Sequence, residues 1–264
     1  MINIIKAQIL DYISSALCLA ILITRIYLEH LSLKARRRRR RRNVNYKLSI
    51  YLISFSAIAV VSRTVVTHLY LQLGAASPPP QPIDNSYIVG KILVLVARVL
   101  FTLVLWLQIS LMLTFYDLLV HDVKVVDWVL RVIWGLVVAT LIGVVLATFL
   151  ECQPFSWYWD GDHFCQRGYI QLAMQTRCNI LLDVVVLIVA FPLTRLSKHT
   201  WPQKLRVYAL VGLGVLCIAI SITRLVQTFK DPGQYSRTIW ASIQTLVAVF
   251  ISNAPTIYGS INTT

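Results

Sequence analysis

Seven stretches of this chain run for roughly 20 or more mostly apolar residues, long enough as helices to cross a ~30 Å hydrocarbon layer. They lie at about 8–30, 48–73, 87–115, 127–150, 172–194, 205–229 and 238–260. That feature restricts the fold more than any other. Inside lipid each backbone N–H and C=O must be satisfied by the chain itself, which leaves helices as the structure for segments of this length. The expectation is an all-α, seven-transmembrane-helix bundle, with residues 1–264 forming a single membrane domain. Only 14% of the residues are charged and 57% are hydrophobic, against about 25% charged in a soluble domain. The first stretch is too apolar for too long to be a signal-peptide core, and no small-residue cleavage site follows it. Arg63 and His68 interrupt the second stretch.

The connections carry turn chemistry. "GAASPPPQPIDNS" follows the second stretch, "KHTWPQK" the fifth and "KDPGQYS" the sixth. Short links make sequence neighbours antiparallel. The segment "KARRRRRRRNVNYK" carries nine positive charges and no negative one. Together with Lys124, Arg131, Arg195, Lys198, Lys204 and Arg206 it gathers the basic loops on one side, which the positive-inside rule makes cytoplasmic. The N-terminus is then outside or lumenal and the C-terminus cytoplasmic. Arg36 to Arg42 become a topology anchor on anionic lipid headgroups, each residue contributing ~1 kcal/mol near the surface. A loop pinned to the bilayer at both ends is a poor nucleic-acid arm, and no nucleic-acid partner is expected.

Ionisable residues within the spans set the functional expectation, because a midplane charge costs at least ~2.5 kcal/mol and must face the bundle. Asp183, with Asn179 one turn before it, lies in the fifth span, and Arg98 in the third. Arg63 and His68 lie in the second span, Arg224 in the sixth, Gln244 in the seventh, and Asp11 at the edge of the first. All point to one polar pocket in the outer half. Asp183 and Arg98 are either a structural ion pair or the acid–base and anion-stabilising groups of a site. His68 either titrates near neutral pH or packs as a neutral ring. The arginines outnumber the aspartates, so the expected ligand is lipophilic and partly anionic. Arg25 and Arg195, near the inner ends, need only snorkel.

The loop "ECQPFSWYWDGDHFC" holds Cys152 and Cys165 on the oxidising side, where a disulfide would contribute ~3 kcal/mol. Cys178 competes as a partner, and free thiols are the alternative. Trp157, Tyr158 and Trp159 form either a lid over the pocket or an interfacial belt. Metal-binding and nucleotide-binding motifs are absent from the sequence, and no cofactor or metal is expected. The seventh span has no lysine, so a retinal Schiff base has no anchor there.

The stretches "CQPFSWYWDGDHFC", "NILLDVVVLIVAFPL", "GLGVLCIAISITRL" and "WASIQTLVAVFISNAP" resemble the fungal rhodopsin-domain family of seven-helix integral membrane proteins. That family includes Pth-eleven-like receptors and members of secondary-metabolite gene clusters such as the satratoxin cluster. The resemblance rests on Cys152, Pro154, Trp159, Cys165, Asn179, Asp183, Pro192, Arg224, Trp240 and Pro255, in helices 4 to 7. It implies an acidic residue in helix 7 where this chain has Gln244, so no carboxylate role carries over to that position. Two functions follow as expectations. One is a secondary-metabolite pathway protein that assists a cyclisation or isomerisation, with Asp183 as acid or base and Arg98, Arg63 and Arg224 stabilising oxyanion charge. His68, Asn179, Gln244, Trp159 and Trp240 would line the ligand site. The other is a receptor for an external lipophilic signal, coupled to a G protein. Pathway enzymes docked at the membrane are a further possible partner. Either way the protein is a multi-pass membrane protein of the endoplasmic reticulum or plasma membrane.

Overall fold

A computed structural model describes residues 2–35, 42–73, 85–119, 124–153, 158, 169–196, 201–230 and 233–261. Seven helices account for nearly all of the described residues. They are α1 (Ile2–Ala35), α2 (Arg42–Gln72), α3 (Asn85–Leu119), α4 (Lys124–Leu150), α5 (Tyr169–Leu196), α6 (Trp201–Lys230) and α7 (Gln234–Ile261). Each covers an expected span to within one residue and starts before it, because a helix that satisfies its own backbone can continue into the interfacial layer. Arg63 and His68 do not interrupt α2.

Five of the helices, α1 to α5, hold windows long and apolar enough to cross a membrane. In α7 the polar residues explain the lower hydropathy. Thr238, Ser242, Gln244, Thr245, Ser252 and Asn253 are all buried, so its polarity points into the bundle and not at lipid.

The outward faces are apolar. On α1, Ile5, Ile9, Ile13 and Leu17 are exposed at four- and eight-residue spacings, the rows of one helical face. The opposite face buries Ala7, Asp11, Ser14, Cys18, Leu22, Arg25 and Glu29, a repeat of threes and fours that keeps one stripe on the neighbouring helices. A helix with apolar residues outside and charged ones inside is built for hydrocarbon.

Side-chain pairs fix the directions. Asp11 meets Arg63 and Glu29 meets Ser49, so α1 and α2 are antiparallel. Asp11 also meets Ser242 while Arg25 meets Asn253, so α1 and α7 are parallel. Gln108 reaches Ser56, and Trp106 donates to the Val137 carbonyl at 3.1 Å, which orders α2, α3 and α4. Tyr169 stacks on Phe229, and Leu187 occupies the space that a Cβ on Gly214 would need, 2.6 Å away. So α5 and α6 run antiparallel and touch closely at the glycine. Helices α1, α3, α5 and α7 start at one end of the bundle, called here the N-terminal end.

Helix α3 is the central element. It contributes Phe101, Leu105, Trp106, Ile109 and Leu113 to one core with α4, α5 and α7. It contributes Val104, Leu107 and Leu111 to another with α1, α2 and α7. Apolar contacts between helices gain little over lipid contacts, so packing fit and interhelical hydrogen bonds must set the arrangement.

Candidate functional site

The polar interior is divided. A cavity of ≈ 60 Å³ lies toward the N-terminal end, between the end of α2, the starts of α3, α5 and α7, and the end of α6. Four arginines line it: Arg63, Arg98, Arg224 and Arg237. A second cavity of ≈ 50 Å³ lies deeper, among α3, α5, α6 and α7, and is lined by Asn179, Asp183 and Gln244 with a largely apolar remainder. The single pocket expected from the sequence is therefore two. Hydropathy gives depth only to within a turn or so, and it cannot say on which side of a neighbouring helix a side chain falls.

The four arginines are held differently. The Arg63 guanidinium donates to Asp11 Oδ1 at 3.0 Å, Ser242 Oγ at 3.0 Å and Thr245 Oγ1 at 2.9 Å. It ties α2 to α1 and α7. Arg98 donates to the Tyr158 hydroxyl at 2.9 Å and lies 3.6 Å from Glu151 Oε2. Glu151 Oε1 also accepts the backbone N–H of Ile170 at 2.9 Å, which caps the first turn of α5. Arg98 and Asp183 thus do not pair: each has another partner, in another cavity.

Arg224 is the unusual member. It is 7% exposed and forms no ion pair with a carboxylate among the described residues. Its Nη1 donates to Gln244 Oε1 at 2.9 Å, and its guanidinium lies 4.1 Å from the centre of the Phe101 ring. Arg63 lies over the same ring at 5.5 Å. Arg63, Arg98 and Arg237 all repel it. A ring quadrupole compensates one such cation by about 2 kcal/mol when desolvated, less than a matched carboxylate supplies. Buried donors on this cavity that lack acceptors among the described residues include Arg224 Nε and Gln175 Nε2, the latter in a side chain only 1% exposed.

The two cavities are joined by a hydrogen-bonded chain. Arg224 donates to Gln244, Gln244 Nε2 donates to Ser221 Oγ at 3.0 Å, and Asn179 Nδ2 reaches both Ser221 at 3.2 Å and Asp183 Oδ2 at 3.0 Å. Gln244 therefore bridges where the resemblance implied an acid.

The remaining expected residues lie elsewhere. His68 is bonded to the Tyr12 hydroxyl at 2.5 Å and lines neither cavity. Half-buried Trp240 lines neither. Trp159 and Cys165 lie outside the described residues, as do Arg36 to Arg41, together with the side chains of Arg42 and Arg195. Cys178 is a free thiol, which removes it as the partner of Cys152. Cys152 is buried with Leu95 and Tyr158.

Arg25 overturns its expectation. It does not snorkel but is 2% exposed. Its Nε pairs with Glu29 at 3.1 Å, and Nη1 donates to the Ser252 carbonyl at 3.1 Å and to Asn253 Oδ1 at 2.9 Å. Pro255 removes the N–H that the Ile251 carbonyl would otherwise accept, and the neighbouring Ser252 carbonyl accepts from Arg25.

Sequence reading also missed Glu151, Gln171, Gln175 and Gln108. A signal existed for two of them. Gln171, Gln175, Asn179 and Asp183 recur every four residues along α5, a polar stripe on one face.

Among the described residues no three His, Cys, Asp or Glu side chains group to hold a metal ion, and α7 offers no lysine to a Schiff-base cofactor. No curated protein and no solved structure matches the chain. The fungal rhodopsin domain, in contrast, matches residues 34–263, from the end of α1 through all of α2 to α7. This reaches well beyond the helix 4 to 7 segments in which the residue resemblance was found. An all-helical membrane bundle matched over most of its length in this way identifies itself: the chain belongs to the fungal rhodopsin domain family.

Proposed function

We propose that this integral membrane protein binds a small lipophilic anion in the arginine-lined cavity and reports its arrival through the bundle. The observation that carries the reading is Arg224, a buried guanidinium without a carboxylate, surrounded by three more arginines. An unpaired buried cation is expensive, and a carboxylate or enolate supplies the missing charge through charge-assisted hydrogen bonds. Arg224 Nε and Gln175 Nε2 are donors already in place for it. The volume suits an acidic head and not a drug-sized body of several hundred Å³. The apolar remainder of the ligand would lie between helices, in hydrocarbon.

The chain from Arg224 through Gln244 and Ser221 to Asn179 favours sensing. A ligand that competes with Gln244 for Arg224 disturbs side chains on α5, α6 and α7 together. The receptor reading, with a G-protein or pathway-enzyme partner on the basic face, follows from that coupling. A cyclase or isomerase of secondary metabolism is the second reading. It retains the oxyanion-stabilising arginines, but the separation of Arg98 from Asp183 leaves the reaction without its expected acid–base partner at the same cavity. With the basic loops cytoplasmic, the cavity opens toward the outside or lumen, and Arg36 to Arg42 lie on anionic headgroups.

The test compares octanoate with octanol on the protein in nanodiscs. Octanoate should raise the unfolding midpoint and octanol should not. Arg224→Gln should weaken octanoate binding by about tenfold or more, the equivalent of losing one charge-assisted hydrogen bond. Equal stabilisation by the alcohol would remove the anion site.

The Cys152–Cys165 disulfide belongs to the same proposal, as a brace over this cavity. The free thiol of Cys178 supports it, as does the position of Tyr158, which reaches down to Arg98 from within the loop. Alkylation of the denatured, unreduced protein should label three of the five cysteines, read by intact mass. Five labels would exclude the bond.

A further inference from the structure

We propose that the second cavity is a distinct site for a small lipophilic ammonium ion, which pairs with Asp183. Among the described residues the Asp183 carboxyl has one hydrogen-bond partner, Asn179. Ion pairs among the described residues include Arg25–Glu29, Arg63–Asp11 and Arg98–Glu151, and Asp183 has none there. The arginine nearest along the hydrogen-bonded chain is Arg224, which is turned away, with Nη1 on Gln244 and its guanidinium over Phe101. An ionised carboxylate in apolar surroundings is costly, and a cation that meets it offsets that cost without the carboxyl having to take up a proton.

The lining supplies the rest of the recognition. Ile109, Met112, Val186 and Leu187 present apolar walls, and Asn179, Gln244, Gln108, Tyr116 and Ser252 add polar atoms. Asp183 is the one acidic residue of this lining, and among the described residues no three His, Cys, Asp or Glu side chains group to hold a metal ion. A short alkylammonium suits both features: its N–H groups reach Asp183 and its carbon chain contacts aliphatic side chains. A volume of ≈ 50 Å³ favours a chain of a few carbons. The two cavities thus select opposite charges, and the hydrogen-bonded chain through Gln244 runs between them.

The experiment measures the unfolding midpoint of the full chain in nanodiscs with n-propylammonium chloride, n-propanol or sodium chloride at equal concentration. At saturation the ammonium salt should raise the midpoint by about 3 °C, and the other two should leave it unchanged. Asp183→Asn should abolish the shift. Arg98→Gln, which alters only the first cavity, should retain the propylammonium shift even where octanoate binding is lost, so the two proposals fail separately. If Asp183→Asn does not fold, the comparison on the unaltered protein decides. An equal shift with propanol, an equal shift with sodium chloride, or no shift with the ammonium salt overturns the site.

Discussion

Replacing Asp11 by alanine should cost the bundle about 3–5 kcal/mol, the loss that follows when one member of a buried ion pair is removed and the other stays. Asp11 Oδ1 accepts from both Arg63 at 3.0 Å and Ser242 at 2.6 Å, so the substitution breaks the contact of α1 with α2 and with α7 at once. The neutral hydrogen bonds around it are worth much less, about 0.6 kcal/mol each inside membranes. The charge therefore dominates. Unfolding of the detergent-solubilised protein by a denaturing surfactant measures the loss. The double replacement Asp11→Leu with Arg63→Met should recover most of it, because no charge is then left without a partner. A single-variant loss under 1 kcal/mol would show that Arg63 finds another partner or water. Ser242 and Thr245 would remain its donors' acceptors in either case.

Glu29→Ala should have a comparable effect at the opposite end of the same helix. Glu29 is 3% exposed and holds Arg25 by its Oε1, which also accepts from Ser49 at 2.8 Å. Without it Arg25 retains only neutral acceptors: the Ser252 carbonyl, Asn253 and Ser49. The cost should again be about 3–5 kcal/mol. Glu29→Gln should cost less than Glu29→Ala because its amide oxygen still accepts. The same surfactant titration ranks the two variants. Equal losses would mean that the hydrogen bond to Ser49 and Arg25 contributes nothing beyond the charge. The network extends through Ser252, whose Oγ donates to Gln108 Oε1, and through Gln108 to Ser56. It therefore joins α1, α2, α3 and α7 below the central core.

These two ion pairs show how far the linear sequence could be read. The requirement that Asp11 and Arg63 face inward follows from the cost of charge in hydrocarbon, and both do. Which acid meets which base did not follow. Asp183 and Arg98 stand at similar nominal depths, yet Arg98 takes Glu151, a residue at the membrane edge that draws no notice in a hydropathy reading. A place near a helix end suggests that Arg25 snorkels. It turns inward because the Ser252 carbonyl and Asn253 Oδ1 on α7 present acceptors there. In α5 the polar stripe from Gln171 to Asp183 was legible in principle, since a four-residue period needs no tertiary knowledge.

The medium, the helix number and the polarity of each helix face can be read from the linear chain. These depend on local quantities: the length of apolar runs, the spacing of side chains around a helix and the cost of an unsatisfied backbone in lipid. The partners, the division of the polar interior into two cavities and the bridging place of Gln244 emerge from the packed bundle. Those depend on the rotation and offset of each helix against its neighbours, where an error of one residue turns a side chain by about 100°.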